Sequence, residues 1–122
     1  MKRVLLIEDN CDINDTTCEM LEIAGYETIT VRNGKDGIIK ALKYLPDIIL
    51  CDMWMPEKDG YEVLLKLKGF KETSKIPFVF FSANTDPKAI TKGMEMGATN
   101  YICKPFSEKK LLKIIEKSLI LS

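Results

Sequence analysis

Apolar residues along the chain fall into short continuous runs, and the segments between the runs show helical spacing. The runs are nearly uninterrupted by polar residues: Val4–Ile7, Thr28–Val31, Ile48–Cys51, Phe78–Phe81 and Tyr101–Cys103. Continuous apolar runs of this length are typical of strands that are covered on both faces, as in parallel sheets. The runs therefore predict five buried strands.

The intervening segments carry apolar side chains three and four residues apart, which is typical of amphipathic helices packed on a sheet. A glycine or proline follows each of the first four segments and predicts where the helix ends. Ser107 predicts the N-cap of the last helix. The positions predicted to face the sheet are, in chain order, Ile13, Thr17, Met20, Leu21 and Ala24; Ile38, Ala41, Leu42 and Leu45; Val63, Leu64 and Leu67; Ala89, Ile90 and Met94; and Leu111, Leu112, Ile115 and Leu119.

Strand and helix alternate five times along the chain. This alternation predicts an α/β fold, with a parallel sheet, right-handed crossovers and helices on both faces. We interpret the 122 residues as one domain, 1–122, since a chain of this length forms a single core. Ligand sites of such sheets form beyond the carboxyl ends of the strands. The residues that follow each apolar run are therefore the candidates for function.

The composition excludes several kinds of chemistry. The chain has no histidine, which removes histidine-activated nucleophiles and histidine-ligated zinc. Equal numbers of basic and acidic residues, 18 of each, give no overall bias toward nucleic acid or an anionic membrane. The cysteines form no C-x-x-C pair, and we interpret Cys11, Cys18, Cys51 and Cys103 as reduced thiols in a cytoplasmic protein. No apolar run approaches the roughly 18 residues of a membrane span.

Charged and hydroxyl side chains follow four of the five runs. Glu8 and Asp9 follow the first run, Asp52 the third, Ser82 the fourth and Lys104 the fifth. Three neighbouring carboxylates repel one another, and a single lysine offsets only part of their charge. Carboxylate oxygens suit Mg²⁺, which readily shares phosphate oxygens. The cluster predicts a site for Mg²⁺ and a phosphoryl group, with an aspartate as nucleophile and the serine and lysine holding the phosphoryl oxygens.

Each candidate has a more ordinary interpretation when it is considered alone. Carboxylates at strand ends are commonly solvated or cap the next helix, as Asp9 or Asn10 could. A serine after a strand often forms a turn. Only the joint arrangement, with a candidate at each of several strand ends, favours a functional site.

With these residues the sequence resembles the receiver domains of two-component response regulators. The segments that carry the resemblance are LLIEDN, DIILCDMWMPEKDGYEVL, PFVFFSA and MGATNYICKPF, and the similarity covers essentially the entire chain. The resemblance implies a flavodoxin-like, doubly wound five-stranded parallel sheet of order 2-1-3-4-5 with five helices. It also implies a regulatory domain rather than an enzyme, which takes a phosphoryl group from a histidine kinase or histidine phosphotransfer protein and signals to a downstream protein.

The resemblance gives the acidic residues and the loop after the third strand separate roles. Asp52 matches the phospho-acceptor and a metal ligand. Glu8 and Asp9 match the acidic pair that binds Mg²⁺, with Asp9 the expected direct ligand. The backbone carbonyl of Trp54 matches a further ligand, and Pro56 is expected to stiffen the loop.

The same resemblance assigns the residues at the ends of the fourth and fifth strands. Ser82 matches the switch hydroxyl that moves toward the phosphoryl group, and Tyr101 the aromatic residue that turns inward with it. Lys104 matches the lysine that pairs with the acceptor, and Pro105 the proline whose preceding peptide bond is cis. Phosphorylation is then expected to change the face formed by the fourth helix, fifth strand and fifth helix.

Other classes of protein remain as alternatives. A hydrolase of the haloacid-dehalogenase type also uses an aspartate, Mg²⁺ and a lysine, but it carries a second acid where this chain has Trp54. A degenerate interaction module would have lost Asp52 or Lys104, and both are present. The start, MKRVL, is typical of a natural N-terminus, and the chain is interpreted either as a complete single-domain regulator or as a receiver domain of a larger protein.

Three local features lead to further predictions. Gly37 stands where the family usually has alanine, and it is predicted to weaken its helix by about 0.5–1 kcal/mol. Trp54 and Asn84 match the positions that flank the approach of water to the phosphoryl group. Ile114 and Leu121 lie off the stripe of the last helix, which fits a wide core contact or a truncated end, or else a surface for a partner or a homodimer. Such a homodimer would form through the fourth helix, fifth strand and fifth helix.

Overall fold

The computed structural model describes residues 1–55, 57–83 and 86–121, with no account of the side chain of residue 121. The predictions for Pro56, Asn84 and the Leu121 side chain lie outside this part of the chain. The strands are β1 Arg3–Ile7, β2 Glu27–Val31, β3 Ile48–Asp52, β4 Phe78–Ser82 and β5 Asn100–Cys103. The helices are α1 Cys11–Ile23, α2 Gly34–Tyr44, α3 Gly60–Lys68, α4 Pro87–Glu95 and α5 Glu108–Leu121. Within the described residues, no helix has the length and apolar character needed to cross a membrane.

The strands form one parallel sheet in the order β2-β1-β3-β4-β5. This order confirms the predicted doubly wound α/β architecture. The chain winds outward from β1 to β2, then crosses back to β3 and continues the other way. The carboxyl ends of β1 and β3 consequently lie side by side at the point where the winding reverses, which is the usual place for a ligand site in such sheets.

Two apolar clusters cover the two faces of the sheet. On one face, Ile49 and Phe80 pack with residues of α2 and α3 such as Ala41 and Leu64. On the other face, residues including Leu50 pack with α1 and α5. Burial on both faces explains the continuous apolar runs of β1, β3 and β4. The prediction of five buried strands was wrong for β2 and β5, which lie at the edges of the sheet and are only partly buried.

Two polar residues cap helices and fix where they begin. The side chain of Asn10 accepts a hydrogen bond from the backbone N–H of Ile13 at 3.0 Å, so Asn10 rather than Asp9 caps α1. Ser107 Oγ accepts from Lys110 N at 3.1 Å, which confirms the predicted start of α5. Because Asn10 takes the capping role, the Asp9 carboxylate stays available beside the end of β1.

Three residues of the predicted apolar stripes do not face the sheet. Ala24 is exposed because it is the C-cap residue that follows α1. Leu45 is 50% exposed because it lies beyond α2 in a left-handed conformation, with φ of 46°. Met94 is 40% exposed because Gly93 occupies the position of α4 that lies against Phe80. These three predictions were wrong because apolar spacing reveals neither where a helix ends nor how closely it approaches its neighbour.

The structure favours the core interpretation of Ile114. This side chain is partly buried and packs against the apolar cluster that α5 shares with α1. Its place off the main stripe therefore reflects a wide contact of α5 with the sheet. The position of Ile114 does not support a homodimer surface.

All four cysteines carry free thiols, as predicted. Cys51 is buried on the opposite face of β3 from Asp52, and burial raises the pKa of its thiol well above the usual range. Cys18 lies 3.4 Å from a carboxylate oxygen of Glu22, and burial raises its pKa to about 11. Both thiols therefore stay protonated at neutral pH and act as small packing groups.

Candidate functional site

The ends of four strands bring the predicted site residues to one edge of the sheet. Glu8 follows β1, Asp52 ends β3, Ser82 ends β4 and Lys104 follows β5. Side chains alternate between the faces of a strand. Glu8, Asp52 and Lys104 accordingly share the face covered by α1 and α5, whereas Ser82 belongs to the face on which α4 packs.

The acidic residues form a compact cluster. One carboxylate oxygen from each of Glu8, Asp9 and Asp52 lies within 4.8 Å of the others. Glu8 and Asp52 are buried, and Asp9 is exposed at the rim. Burial raises the pKa of Glu8 from 4.5 to about 7, although contacts with Lys104 and the backbone N–H of Asn10 oppose this rise. Burial also raises the pKa of Asp52, and the positive charge of Lys104 opposes it.

Lys104 supplies the positive charge inside the cluster. Its Nζ atom contacts Glu8 Oε1 directly and lies 3.4 Å from Asp52 Oδ1. The same ammonium group lies 4.8 Å from the centre of the Phe81 ring, and the side chain is only 13% exposed. The backbone N–H of Lys104 donates to Ser82 O at 2.9 Å, and the Lys104–Pro105 peptide bond is cis, as predicted.

The donor set fits a small hard divalent cation. Two buried carboxyl groups with raised pKa values show that the protein environment disfavours full ionisation of the cluster. A single ammonium group cannot neutralise three carboxylates. The exposed carboxylate of Asp9 keeps the cluster open to solvent on one side. Oxygen ligands and an open side suit Mg²⁺, which retains water and shares phosphate oxygens.

The loop after β3 is held back against the strand that carries Asp52. The backbone N–H of Trp54 hydrogen-bonds the Asp52 carboxylate and favours its ionised form. Gly60 N donates to Met53 O at 2.9 Å, and a Cβ at Gly60 would lie 2.6 Å from Asp52 O. Only glycine allows α3 to begin this close to β3, so the loop is short and Asp52 is fixed at its base. The Trp54 ring is 47% exposed.

Ser82 and Tyr101, the predicted switch residues, lie on the α4 side of the sheet. Ser82 is 1% exposed, and Tyr101 is half-buried against the cluster that contains Phe80. Burial and the neighbouring thiol of Cys103 raise the pKa of Tyr101 to about 12, so its hydroxyl stays neutral. The structure thus brings the acidic cluster and Lys104 into contact, and it places Ser82 and Tyr101, the two predicted switch residues, on adjacent strands.

Two supporting residues were missed by the sequence reasoning. The buried Asn14 side chain donates to Glu8 O at 3.0 Å and to Val31 O at 3.1 Å, which ties α1 to the ends of β1 and β2. A polar residue between Ile13 and Thr17 on the inward face of α1 was the only available signal. Tyr61 follows Gly60 and contacts the ring of Trp54. The sequence analysis included Tyr61 only within the segment DIILCDMWMPEKDGYEVL and gave it no role.

Comparison with known proteins identifies the family. The response regulator receiver domain family matches residues 4–116, and the chain belongs to it. Receiver domains are the phospho-accepting regulatory domains of two-component systems. The family assignment does not favour the haloacid-dehalogenase alternative.

Individual relatives agree with this assignment. A solved structure of the Vibrio cholerae chemotaxis protein CheY4 superposes with a TM-score of 0.93 at 30% identity, over 97% of this chain and 98% of that one. The phosphate regulon transcriptional regulatory protein PhoB of Pseudomonas aeruginosa is 32% identical, over 91% of this chain and 48% of PhoB. The DNA-binding dual master transcriptional regulator RpaA of Synechocystis is 32% identical, over 92% of this chain and 46% of RpaA. The chain thus spans about half the length of these curated relatives.

Proposed function

We propose that this protein is a signalling switch in which Asp52 accepts a phosphoryl group from a phosphohistidine of a kinase or phosphotransfer protein. The observation that carries the proposal is the convergence of the Glu8, Asp9 and Asp52 carboxylates within 4.8 Å, with Lys104 Nζ in contact with Glu8 and 3.4 Å from Asp52. Burying a carboxylate costs free energy of folding. Clusters of buried ionisable groups with shifted pKa values are therefore typical of functional sites.

In the transfer, an oxygen of the ionised Asp52 carboxylate forms a bond to phosphorus while the phosphorus–nitrogen bond to the donor imidazole breaks. The imidazole nitrogen keeps the bonding pair and takes up a proton. Lys104 is placed to hold a phosphoryl oxygen, since its Nζ already lies beside Asp52 Oδ1. The hydrogen bond from the Trp54 N–H lowers the pKa of Asp52 and so favours the ionised carboxylate against the effect of burial.

Mg²⁺ is the proposed cofactor, held by Glu8, Asp9, Asp52 and the backbone carbonyl of Trp54. When bound, it would neutralise the carboxylates and the phosphoryl oxygens. Glu8, with a pKa of about 7, must give up its proton to join the ligand set at neutral pH. We therefore propose that Glu8 makes metal binding, and with it phosphorylation, weaker as the pH falls below 7.

The proposed output is a shift of the α4–β5–α5 face. A phosphoryl group adds about −1.5 to −2 charges beside Ser82 and Lys104. Drawing the Ser82 hydroxyl toward the phosphoryl group frees space for the half-buried Tyr101, which lies on the same face of the sheet. The change is a population shift between two arrangements of one fold. Amide exchange over residues 86–105, with and without beryllofluoride, tests it, and identical exchange would count against it.

The partners follow from this assignment as proposals. A histidine kinase or phosphotransfer protein donates the group, and a downstream protein reads the shifted face. The expectation of no direct nucleic-acid contact rests only on the balanced charge of the chain, and relatives named as transcriptional regulators give it no support. A homodimer through α4–β5–α5, a cytoplasmic location and the lack of enzymatic turnover of other substrates remain predictions.

The direct test is treatment with acetyl phosphate and Mg²⁺, followed by intact-mass measurement. Wild type should gain one phosphoryl group, and Asp52→Asn should gain none. Asp15→Asn, which removes an exposed carboxylate of α1, is the matched control and should behave as wild type. Uptake of one phosphoryl group by Asp52→Asn would show that the acceptor is another residue.

A further inference from the structure

Tyr61 makes contacts that the phosphorylation chemistry does not require. Its side chain is buried at the start of α3, with 6% exposure. The ring meets Trp54 edge-on at a centroid distance of 5.7 Å and Phe80 at 5.6 Å. Lys92 Nζ, from α4, lies 4.5 Å from the same ring centre. Tyr61 therefore lies between the loop that follows Asp52 and the helix α4.

The hydroxyl of Tyr61 joins these two elements through a hydrogen bond. It donates to Ala89 O in the first turns of α4 at 2.8 Å. Met53 Sδ lies 3.6 Å away and offers only a weak alternative acceptor. Burial raises the pKa of Tyr61, so the hydroxyl keeps its proton and remains a donor at neutral pH.

Helix α4 has few other attachments to the described residues, which makes this bond important for its position. Six of the nine residues of α4 are exposed, and Gly93 is the only one of the nine that is buried. A Cβ at Gly93 would lie 2.9 Å from Phe80, so α4 rests on the sheet through a residue without a side chain. A helix with so little buried apolar surface belongs to the less stable part of a fold. Single contacts then decide how firmly it is held.

We propose that Tyr61 is a positioning residue that holds α4 in its resting place and releases it when the loop carrying Trp54 rearranges around the phosphorylated site. The coupling runs from Trp54 to the Tyr61 ring, and from the Tyr61 hydroxyl to the Ala89 carbonyl. It acts beside the path through Ser82 and Tyr101. The inference rests on the proposed function, because that function supplies the change at the loop.

Amide exchange of α4 tests the proposal in the unphosphorylated protein first. Tyr61→Phe keeps the ring contacts and removes the bond to Ala89. Exchange over residues 87–95 should become about three- to tenfold faster, as expected for loss of one hydrogen bond. Exchange over residues 48–52 of β3 should not change. Tyr44→Phe is the matched control. Tyr44 contacts its neighbours through its ring and its backbone carbonyl, and phenylalanine retains both groups.

The second arm adds Mg²⁺ and beryllofluoride. The wild-type rate over residues 87–95 should rise toward that of Tyr61→Phe, because the bond is released in the activated arrangement. Fluorescence of Trp54, the only tryptophan of the chain, reports independently whether the loop responds.

Several results would overturn the proposal. Unchanged exchange of α4 in Tyr61→Phe, or equal acceleration in every element, would leave Tyr61 a packing residue. Beryllofluoride could change the Trp54 fluorescence and yet leave the difference in α4 exchange between wild type and Tyr61→Phe as large as before. This result would refute the coupling but not the proposed function. No fluorescence or exchange response in wild type would count against the proposed function itself, and the coupling would fall with it.

Discussion

Replacing Glu8 by glutamine should make the metal-free protein more stable at alkaline pH. Burial raises the pKa of Glu8 from 4.5 to about 7, so the folded protein binds this proton more tightly than the unfolded chain. Stability from this group is fully present below pH 4.5 and is lost as the pH rises through about 7. The loss corresponds to about 3 kcal/mol for a single carboxyl group.

Glutamine removes this penalty and keeps the geometry. Its side-chain oxygen can still accept from Lys104 Nζ or from Asn10 N, which bonds Glu8 Oε2 at 3.0 Å. The pKa of about 7 already includes the attraction of Lys104, so no separate charge contribution is subtracted. The net gain in unfolding free energy at pH 8 should therefore be about 3 kcal/mol, and it should fall below about 1 kcal/mol near pH 5. The raised pKa of Asp52 leaves a smaller pH dependence of the same sign.

Urea unfolding at a series of pH values from 5 to 8, with Mg²⁺ removed by a chelator, measures this effect. Glu72→Gln, at an exposed position of the α3–β4 connection, controls for the loss of one negative charge. Added Mg²⁺ should stabilise wild type more at pH 8 than at pH 5, since protons compete for Glu8. Added Mg²⁺ should stabilise Glu8→Gln less than wild type at both pH values.

Parallel pH profiles for wild type and Glu8→Gln would refute the reasoning. They would mean that the Glu8 carboxyl group is ionised or protonated alike in the folded and unfolded protein. A variant less stable than wild type at pH 8 would show that the Glu8–Lys104 pair stabilises the fold more than its burial costs.

Three further predictions concern packing and the lifetime of the phosphorylated state. Gly37→Ala should destabilise the protein by about 1–3 kcal/mol in thermal unfolding, because the new methyl group would lie 2.5 Å from Ile7 Cδ1. Adding Ile7→Val to the same chain removes the Cδ1 methyl group and should restore stability. Trp54→Asn should dephosphorylate about tenfold faster, which corresponds to roughly 1.4 kcal/mol of barrier, when both proteins are timed at matched Mg²⁺ without kinase or phosphatase; equal rates would show that the half-exposed ring does not shield the phosphoryl group from water. Ile114→Lys should lower the unfolding free energy by more than 1 kcal/mol, because it places a charge in a partly buried contact of α5; a stable variant with weaker self-association would instead support the homodimer.

Local patterns were sufficient to predict the strands, the parallel sheet and the edge at which the candidate residues meet, whereas the strand order came from the family resemblance. Strands β1, β3 and β4 are buried on both faces and the edge strands β2 and β5 only in part, yet all five carry apolar runs that located them. The alternation with helices required a parallel sheet. Because every strand of such a sheet points the same way, residues after the runs had to meet at one edge. Glu8, Asp9, Asp52 and Lys104 do meet there.

Contacts between distant residues could not be predicted from those patterns. Gly37 was expected to weaken α2, yet it accommodates Ile7, which makes the glycine a packing feature. Met94 was expected to face the sheet, but Gly93 brings α4 close to Phe80 and turns the methionine outward. The raised pKa of Glu8 and the bond from Tyr61 to Ala89 likewise depend on burial and on helix placement. Periodicity reports which face of an element is apolar, whereas the distance between two elements is set by the side chains of both, and only the tertiary structure contains that distance.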